Sequence, residues 1–307
     1  MGNLLKSVQR KVAELCNERI THTGVDFLTL YKETRETEPV FFVYEPSICI
    51  VIQGKKEITI DDQRLIYDES TFLVSSMDMP VSGMITEASE ECPYLSLGLT
   101  FKACEVFEII AELGDRYQPD KSCCKAIGLS KFTPGLLEAI NRLLDCLNNK
   151  SDARFLAPMI KKEILYRVLL SEQGCALYNV ANNKSDLSGI NKAIIFLKEN
   201  FTANIDTTEL PKLASMSQSK FYKRFHEITN LTPLQYRLQL RIQEARRLML
   251  YENMSASEAG FKVGYESPSQ FNREYKRVVG MPPHADIKRV AEMGVSSFRE
   301  NNASMLI

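Results

Sequence analysis

A sequence that overlays on itself after a fixed shift builds one supersecondary unit more than once. In this 307-residue chain a shift of fifty residues does this over the last hundred or so positions. Ser217 falls on Ser267, Ser219 on Ser269, Phe221 on Phe271 and Lys223 on Arg273. Further along, Phe225 falls on Tyr275, Ile228 on Val278, Asn230 on Gly280 and Pro233 on Pro283. Each copy reads as a short helix, a tight turn and a second helix with apolar anchors three or four apart. In the first copy Leu210, Leu213 and Ala214 precede a turn at Met216-Ser217, and Phe221, Phe225 and Ile228 form the inner face of the second helix. In the second, Ala259, Gly260 and Val263 precede Gly264-Tyr265, and Phe271, Tyr275 and Val278 take the inner positions. Small residues ahead of each turn let the paired helices cross closely, which defines a helix-turn-helix.

Burying the anchors turns the opposite faces to solvent. The first unit then presents Gln218, Ser219, Lys220, Tyr222 and Lys223, and the second Ser269, Gln270, Asn272 and Arg273. Such groups reach base edges and phosphates in a major groove, so these nine are the candidate DNA-contacting residues. An ordinary solvated helix face is the plainer reading of either unit alone; two in register on a basic segment outweigh it. Residues 188–290 hold 16 Lys and Arg against 10 Asp and Glu, a net of +6. The whole chain carries −1, which leaves about −7 for the rest. Between the units, residues 233–252 read as one helix with Leu234, Leu238, Ile242, Ala245, Leu248 and Met249 as its stripe. Arg237, Arg241, Arg246 and Arg247 fall mostly outside that stripe. At ~1.5 Å per residue this helix is about 30 Å long. With its flanking turns it matches the roughly 34 Å between successive major-groove segments.

These segments resemble the arabinose-regulator (AraC/XylS) family. The resemblance runs from about residue 191 to 290 and rests on Met216-Ser-Gln-Ser-Lys-Phe-Tyr-Lys-Arg-Phe225, Leu231-Thr-Pro-Leu-Gln-Tyr236, Arg241-Ile-Gln-Glu-Ala-Arg-Arg-Leu248 and Val263-Gly-Tyr-Glu-Ser-Pro-Ser-Gln-Phe271. It implies a transcriptional regulator whose groove-facing positions are those named above. Two departures stand out: Ala259-Gly260 replaces the usual Ile-Ala, and Asp286 takes the place of the usual Tyr after the last Pro. Both lead us to expect a second unit less well packed than the first, and the weaker hand on DNA.

The first half has a different texture. Short β-rich runs at 40–44, 47–53, 57–60, 71–74 and 94–101 alternate with breakers such as Glu45-Pro46, Gln53-Gly54, Met79-Pro80 and Cys92-Pro93. Helical periodicity covers residues 1 to about 20 and returns at 102–114, 134–148 and 153–172, with Pro134 and Pro158 near helix starts. This half resembles family members with a small cupin-like barrel followed by helices, chiefly through Tyr44-Glu-Pro-Ser-Ile-Cys-Ile-Val-Ile-Gln-Gly-Lys55. The resemblance implies a barrel that binds a small effector and helices that make a dimer. The fold expected is therefore α+β in two domains: a cupin-like β-barrel plus helices, and an all-α domain with two helix-turn-helix units joined by a long helix. The boundaries expected are 1–178, a linker at 179–187, a DNA-binding domain at 188–290 and a tail at 291–307.

The partners expected are double-stranded DNA, a small-molecule effector, RNA polymerase and a second copy of the chain. The place expected is the cytoplasm, since no secretory signal or membrane-length apolar run appears. A metalloenzyme barrel is disfavoured, because His22 is the one histidine outside the basic domain and such barrels gather several. No nucleophile elbow or phosphate loop is present, so neither an enzyme nor a cofactor is expected. Eight scattered cysteines without a Cys-x-x-Cys pair read as reduced thiols. The alternative function is a thiol or electrophile sensor using the barrel cysteines, Cys49 and Cys92, or Cys123 and Cys124, since neighbouring Lys121 and Lys125 lower a thiol's pKa.

Overall fold

The computed structural model describes residues 2–114, 117–118, 125–181 and 185–292. Two compact units divide the chain near Ser188. The first opens with helix α1 (Gly2–Leu15), then nine strands: β1 (Ile20–His22), β2 (Leu28–Glu33), β3 (Val40–Tyr44), β4 (Ser47–Gln53), β5 (Lys55–Ile60), β6 (Gln63–Tyr67), β7 (Thr71–Ser75), β8 (Met79–Glu87) and β9 (Tyr94–Thr100). Helix α2 (Ala103–Leu113), strand β10 (Ile127–Lys131) and helices α3 (Pro134–Cys146), α4 (Lys150–Leu169) and α5 (Gly174–Ala181) complete it.

The strands form two separate sheets, one of six in the order β1-β2-β9-β4-β7-β10 and one of four in the order β3-β8-β5-β6. The expected barrel is thus not closed. Closure needs hydrogen bonds between the outermost strands, and β1 and β10 each pair on one side alone among the described residues. Alternation decides what each face carries. Leu28, Leu30, Ile48, Ile50, Leu95, Leu97 and Leu99 turn to one side of the larger sheet, where they pack with Val8 and Val12 of α1 and Leu136, Ile140 and Leu143 of α3. The intervening residues, Cys49 and Ser96 among them, point to the other side.

Helix α4 begins earlier than its proline implied. Asn149 caps it by accepting from the backbone N–H groups of Ser151 and Asp152 at 2.8 and 3.4 Å, so Pro158 lies inside the helix. The residues read as a linker are largely helical: Asn179–Ala181 end α5, and residues 186–187 begin the next helix. Cys175 is disulfide-bonded, which departs from the expectation of reduced thiols throughout. Spacing along the chain cannot report a pairing made across the fold.

The second unit comprises α6 (Asp186–Asn200), α7 (Glu209–Leu213), α8 (Gln218–Thr229), α9 (Pro233–Tyr251), α10 (Ala256–Lys262), α11 (Pro268–Val279) and α12 (Pro283–Glu292). Capping explains where these helices start. Ser217 accepts from the backbone N–H of Lys220; Thr232 with Gln235, and Ser255 with Glu258, make reciprocal capping boxes. Asn230 and Gly280, both left-handed, stop α8 and α11 at equivalent positions.

Candidate nucleic-acid interface

The two helix pairs, α7–α8 and α10–α11, are close copies, but their overlay slips. After the turns the copies match at fifty residues: the Phe221 N–H donates to Ser217 as Phe271 does to Ser267. Before the turns they match at forty-nine, since Met216 donates to Pro211 as Tyr265 donates to Gly260. The second turn therefore holds one more residue. The left-handed residue that breaks each first helix is Ser215 in one copy (φ 56°) and Gly264 in the other (φ 90°). Only glycine suits the second position. A Cβ there would lie 2.0 Å from the carbonyl oxygen of Thr202.

Behind the first unit sits an aromatic stack. Phe221 meets Phe225 at 5.6 Å, and Phe225 meets Tyr236 of α9 edge-on at 5.9 Å, all three fully buried. The second unit repeats the stack with Tyr265, Phe271 and Tyr275 at 5.3 and 5.5 Å. At the place equivalent to Tyr236 it has Asp286, also fully buried. Arg246 Nε and a terminal nitrogen donate to the two Asp286 oxygens at 2.7 and 3.1 Å, and the Tyr275 hydroxyl donates to Oδ2 at 2.7 Å. Burial alone would raise the Asp286 pKa; Arg246 and Tyr275 instead hold it below the ordinary carboxylate range. The departure at 286 thus converts an apolar contact into an ion pair that ties α12 to α9 and α11. Gly260 corrects a second expectation. A Cβ on it would lie 2.9 Å from Phe271 Cγ, so its bareness admits the Phe271 ring rather than losing packing.

The predicted contact residues lie where the anchors force them. Gln218, Ser219, Lys220 and Lys223 are exposed on α8, and Tyr222 is half-buried with its ring edge-on to Phe221 at 5.5 Å. On α11, Ser269, Gln270, Asn272 and Arg273 are all exposed. Each set therefore shares one outward face within its own helix. The charges differ between the two. On α8, Glu227 takes both Lys223 (3.9 Å) and Arg224 (2.5 Å). On α11, Glu274 is held by the Tyr265 hydroxyl (2.8 Å) and Gln270 (3.3 Å), while Arg273, Lys276 and Arg277 are exposed. Lys276 and Arg277 escaped the sequence reading; their signal was charge at positions where the first copy has His226 and Glu227.

The arginines of α9 are engaged elsewhere. Arg237 and Arg241 both donate to the carbonyl of Phe201, at 3.0 and 2.7 Å, and reach those of Thr202 and Ala203 beyond the end of α6. Arg241 also lies over the Tyr265 ring at 5.3 Å. Arg247 pairs with Glu244 and Glu252. Part of the basic excess in this unit thus holds helices together.

The other candidate chemistries have a different standing. His22 is exposed at the end of β1, and no group of three or more His, Cys, Asp or Glu among the described residues is placed to hold a metal. Burial pushes the Cys49 thiol up, more than Lys56 lowers it, which opposes the activation a sensor needs. Cys92 is exposed, and Cys123 and Cys124 lie outside the described residues. No helix among those residues is long and apolar enough to cross a membrane.

Known proteins share this arrangement. Residues 24–176 match the family described as the AraC-type transcriptional regulator N-terminus, and residues 210–289 match a helix-turn-helix domain. The MmsAB operon regulatory protein of Pseudomonas aeruginosa is 30% identical over 107 residues, 35% of this chain and 34% of that protein. The chain thus spans about a third of that relative's length. The thermoregulatory protein LcrF of Yersinia pestis is 23% identical over 269 residues, which cover 83% of this chain and 95% of LcrF. Among solved structures, ToxT of Vibrio cholerae with an unsaturated fatty acid bound has a TM-score of 0.52 at 12% identity, covering 85% of this chain and 94% of that one.

Proposed function

The chain belongs to the AraC family of DNA-binding transcriptional regulators, and from that premise we propose that it is an activator controlled by a small molecule bound in its sheet-rich unit. The observation that carries the reading is the pair of recognition helices, α8 and α11: Phe221, Phe225, Ile228, Phe271 and Tyr275 are buried and Val278 half-buried, while each helix exposes a polar, cationic face. In this reading Gln218, Ser219, Lys220, Tyr222 and Lys223 enter one major-groove segment and Ser269, Gln270, Asn272 and Arg273 the next. Effector occupancy favours one state of the regulator and so changes its affinity for DNA or its contact with RNA polymerase. The fatty acid bound to ToxT supports an effector in the first unit here. The regulator acts in the cytoplasm and catalyses no reaction.

A homodimer belongs to the same reading. Phe155, Met159, Tyr166 and Leu170 recur at four- and seven-residue steps along α4 and its end, with exposures of 70%, 70%, 38% and 59%. That apolar stripe is the surface offered to a second copy. The deciding experiment for DNA is an electrophoretic shift with the full chain across a salt series, on fragments flanking its own gene. Binding that weakens steeply with salt and prefers one fragment is expected. Equal, weak binding to every fragment would sink the proposal.

A further inference from the structure

The side of the larger sheet turned away from the helices carries an unusual set of groups. Cys49 sits on β4, flanked by β9 and β7, with Gly98 and Leu73 as its register partners. Its strand neighbours Ile48 and Ile50 fill the core beneath the helices, so Cys49 points towards the smaller sheet. Its thiol lies within electrostatic reach of Tyr31 and Tyr94 from its own sheet and of Tyr44, Tyr67 and Lys56 from the other. The Tyr44 and Tyr67 hydroxyls are hydrogen-bonded at 3.0 Å, and the Lys56 ammonium lies 5.5 Å from the Tyr44 ring centre.

Two further features mark this face of the sheet. Cys49, Lys56 and Tyr31 keep accessible surface although β4 and β5 are inner strands paired on both sides. Gly98, mid-strand between Thr29 and Cys49, presents no side chain on the same face; the Tyr31 ring lies across it, with Cε2 3.4 Å from where a Cβ would be. A glycine inside a strand commonly marks a close approach of this kind.

We propose that the space between the sheets is the effector site, and that the effector is a small organic acid whose carboxylate is received by the Lys56 ammonium and the surrounding phenol hydroxyls. The proposal rests on the reading of the first unit as effector-binding and adds the class of ligand. Its chemistry follows from the groups present. Burial pushes all four phenols and the thiol up, so each stays protonated and able to donate. Burial pushes Lys56 down, and an anion beside it would favour its charged form. Aromatic rings on both sheets supply apolar walls for the rest of the guest.

The test uses the full chain and four probes: benzoate, hexanoate and their neutral amides, benzamide and hexanamide. The chain has 12 tyrosines and no tryptophan, so its intrinsic fluorescence reports on the ring of phenols. Maleimide labelling of Cys49, followed by peptide mass spectrometry, gives site identity, with exposed Cys92 and Cys104 as internal references. At least one acid should bind more tightly than its amide and slow labelling at Cys49 alone. Lys56→Gln should weaken that acid about tenfold or more, as loss of a charge-assisted bond does. Lys56→Arg, which keeps the charge, should retain binding, and Tyr67→Phe should weaken it while leaving the unfolding midpoint close to the parent. Amides that bind as well as acids, an unchanged Cys49 rate under saturating acid, or a Lys56→Gln variant with parental affinity would each overturn the proposal. If all four probes fail, a thermal-shift screen of neutral metabolites separates the two readings. A neutral hit that alters DNA affinity leaves the effector reading standing and removes the acid; no hit removes both.

Discussion

The two helix-turn-helix units solve one packing problem with different chemistry. Where the first closes with Tyr236 against Phe225, the second closes with Asp286 bonded to Tyr275 and Arg246. An aromatic contact tolerates small displacements, because dispersion and area burial are not directional. A buried bidentate ion pair does not, and loss of one partner strands a charge in the interior. The second unit is therefore fastened by geometry and the first by bulk. Their outward faces differ in the same spirit. Glu227 damps the cations of α8, while Arg277, at the equivalent place, adds to those of α11.

The sharpest way to break this comparison is at the fastening. Asp286→Ala should cost about 3–5 kcal/mol by taking from the buried Arg246 the carboxylate that balances its charge. The double variant Arg246→Met, Asp286→Met should recover much of that loss, which thermal unfolding would show. Phe225→Ala and Phe271→Ala come next, at about 3–5 kcal/mol each with a cavity left behind. Equal losses would say that the two aromatic stacks matter alike despite their different closures. On DNA, Arg273→Ala should weaken specific binding by about 1–3 kcal/mol if the guanidinium reads a base. A loss shared equally by all sequences would make it a phosphate clamp.

Exchanging the damping charge probes the faces more gently. Glu227→Arg should steepen the dependence of affinity on salt by about one unit of slope, and Arg277→Glu should flatten it by a similar amount. Identical slopes for parent and variants would mean that neither position faces the phosphates. Gly260→Ala should destabilise by about 1 kcal/mol, since the clash with the enclosed Phe271 ring outweighs the gain in helix propensity. The smallest effect concerns acid. Because the Asp286 pKa is depressed in the folded state, its stabilisation is complete above the unfolded value of about 3.9. It is lost as pH falls through the lower native value. Asp286→Asn should remove that component of acid unfolding, measured as a smaller loss of stability between the parent's neutral and acid midpoints.

Much of the molecule was legible before folding. Periodicity and the fifty-residue overlay depend on neighbours within a few turns, so they identified both recognition helices and the outward positions of Gln218, Lys223, Asn272 and Arg273. The caps at Ser217, Thr232 and Ser255 were equally local. Other features needed distant partners. A strand run does not say whether its edge will find another edge, so a barrel was expected where two open sheets form. The one-residue slip between the units was hidden because the anchors after the turns align so well. Arg237, Arg241 and Arg246 looked like surface cations; their carbonyl and carboxylate partners lie roughly forty residues away.

What the sequence by itself determined is the repeated unit and the residues each copy turns outward, since helix geometry converts spacing directly into a face. Tertiary structure alone decided that Asp286 would be a buried fastener rather than a defect. It also gathered Tyr31, Tyr44, Lys56, Tyr67 and Tyr94 within electrostatic reach of Cys49. The reason is the same in both cases: the energy of a buried polar group depends on which partners meet it, and those partners are brought together by strand pairing and helix crossing rather than by proximity along the chain.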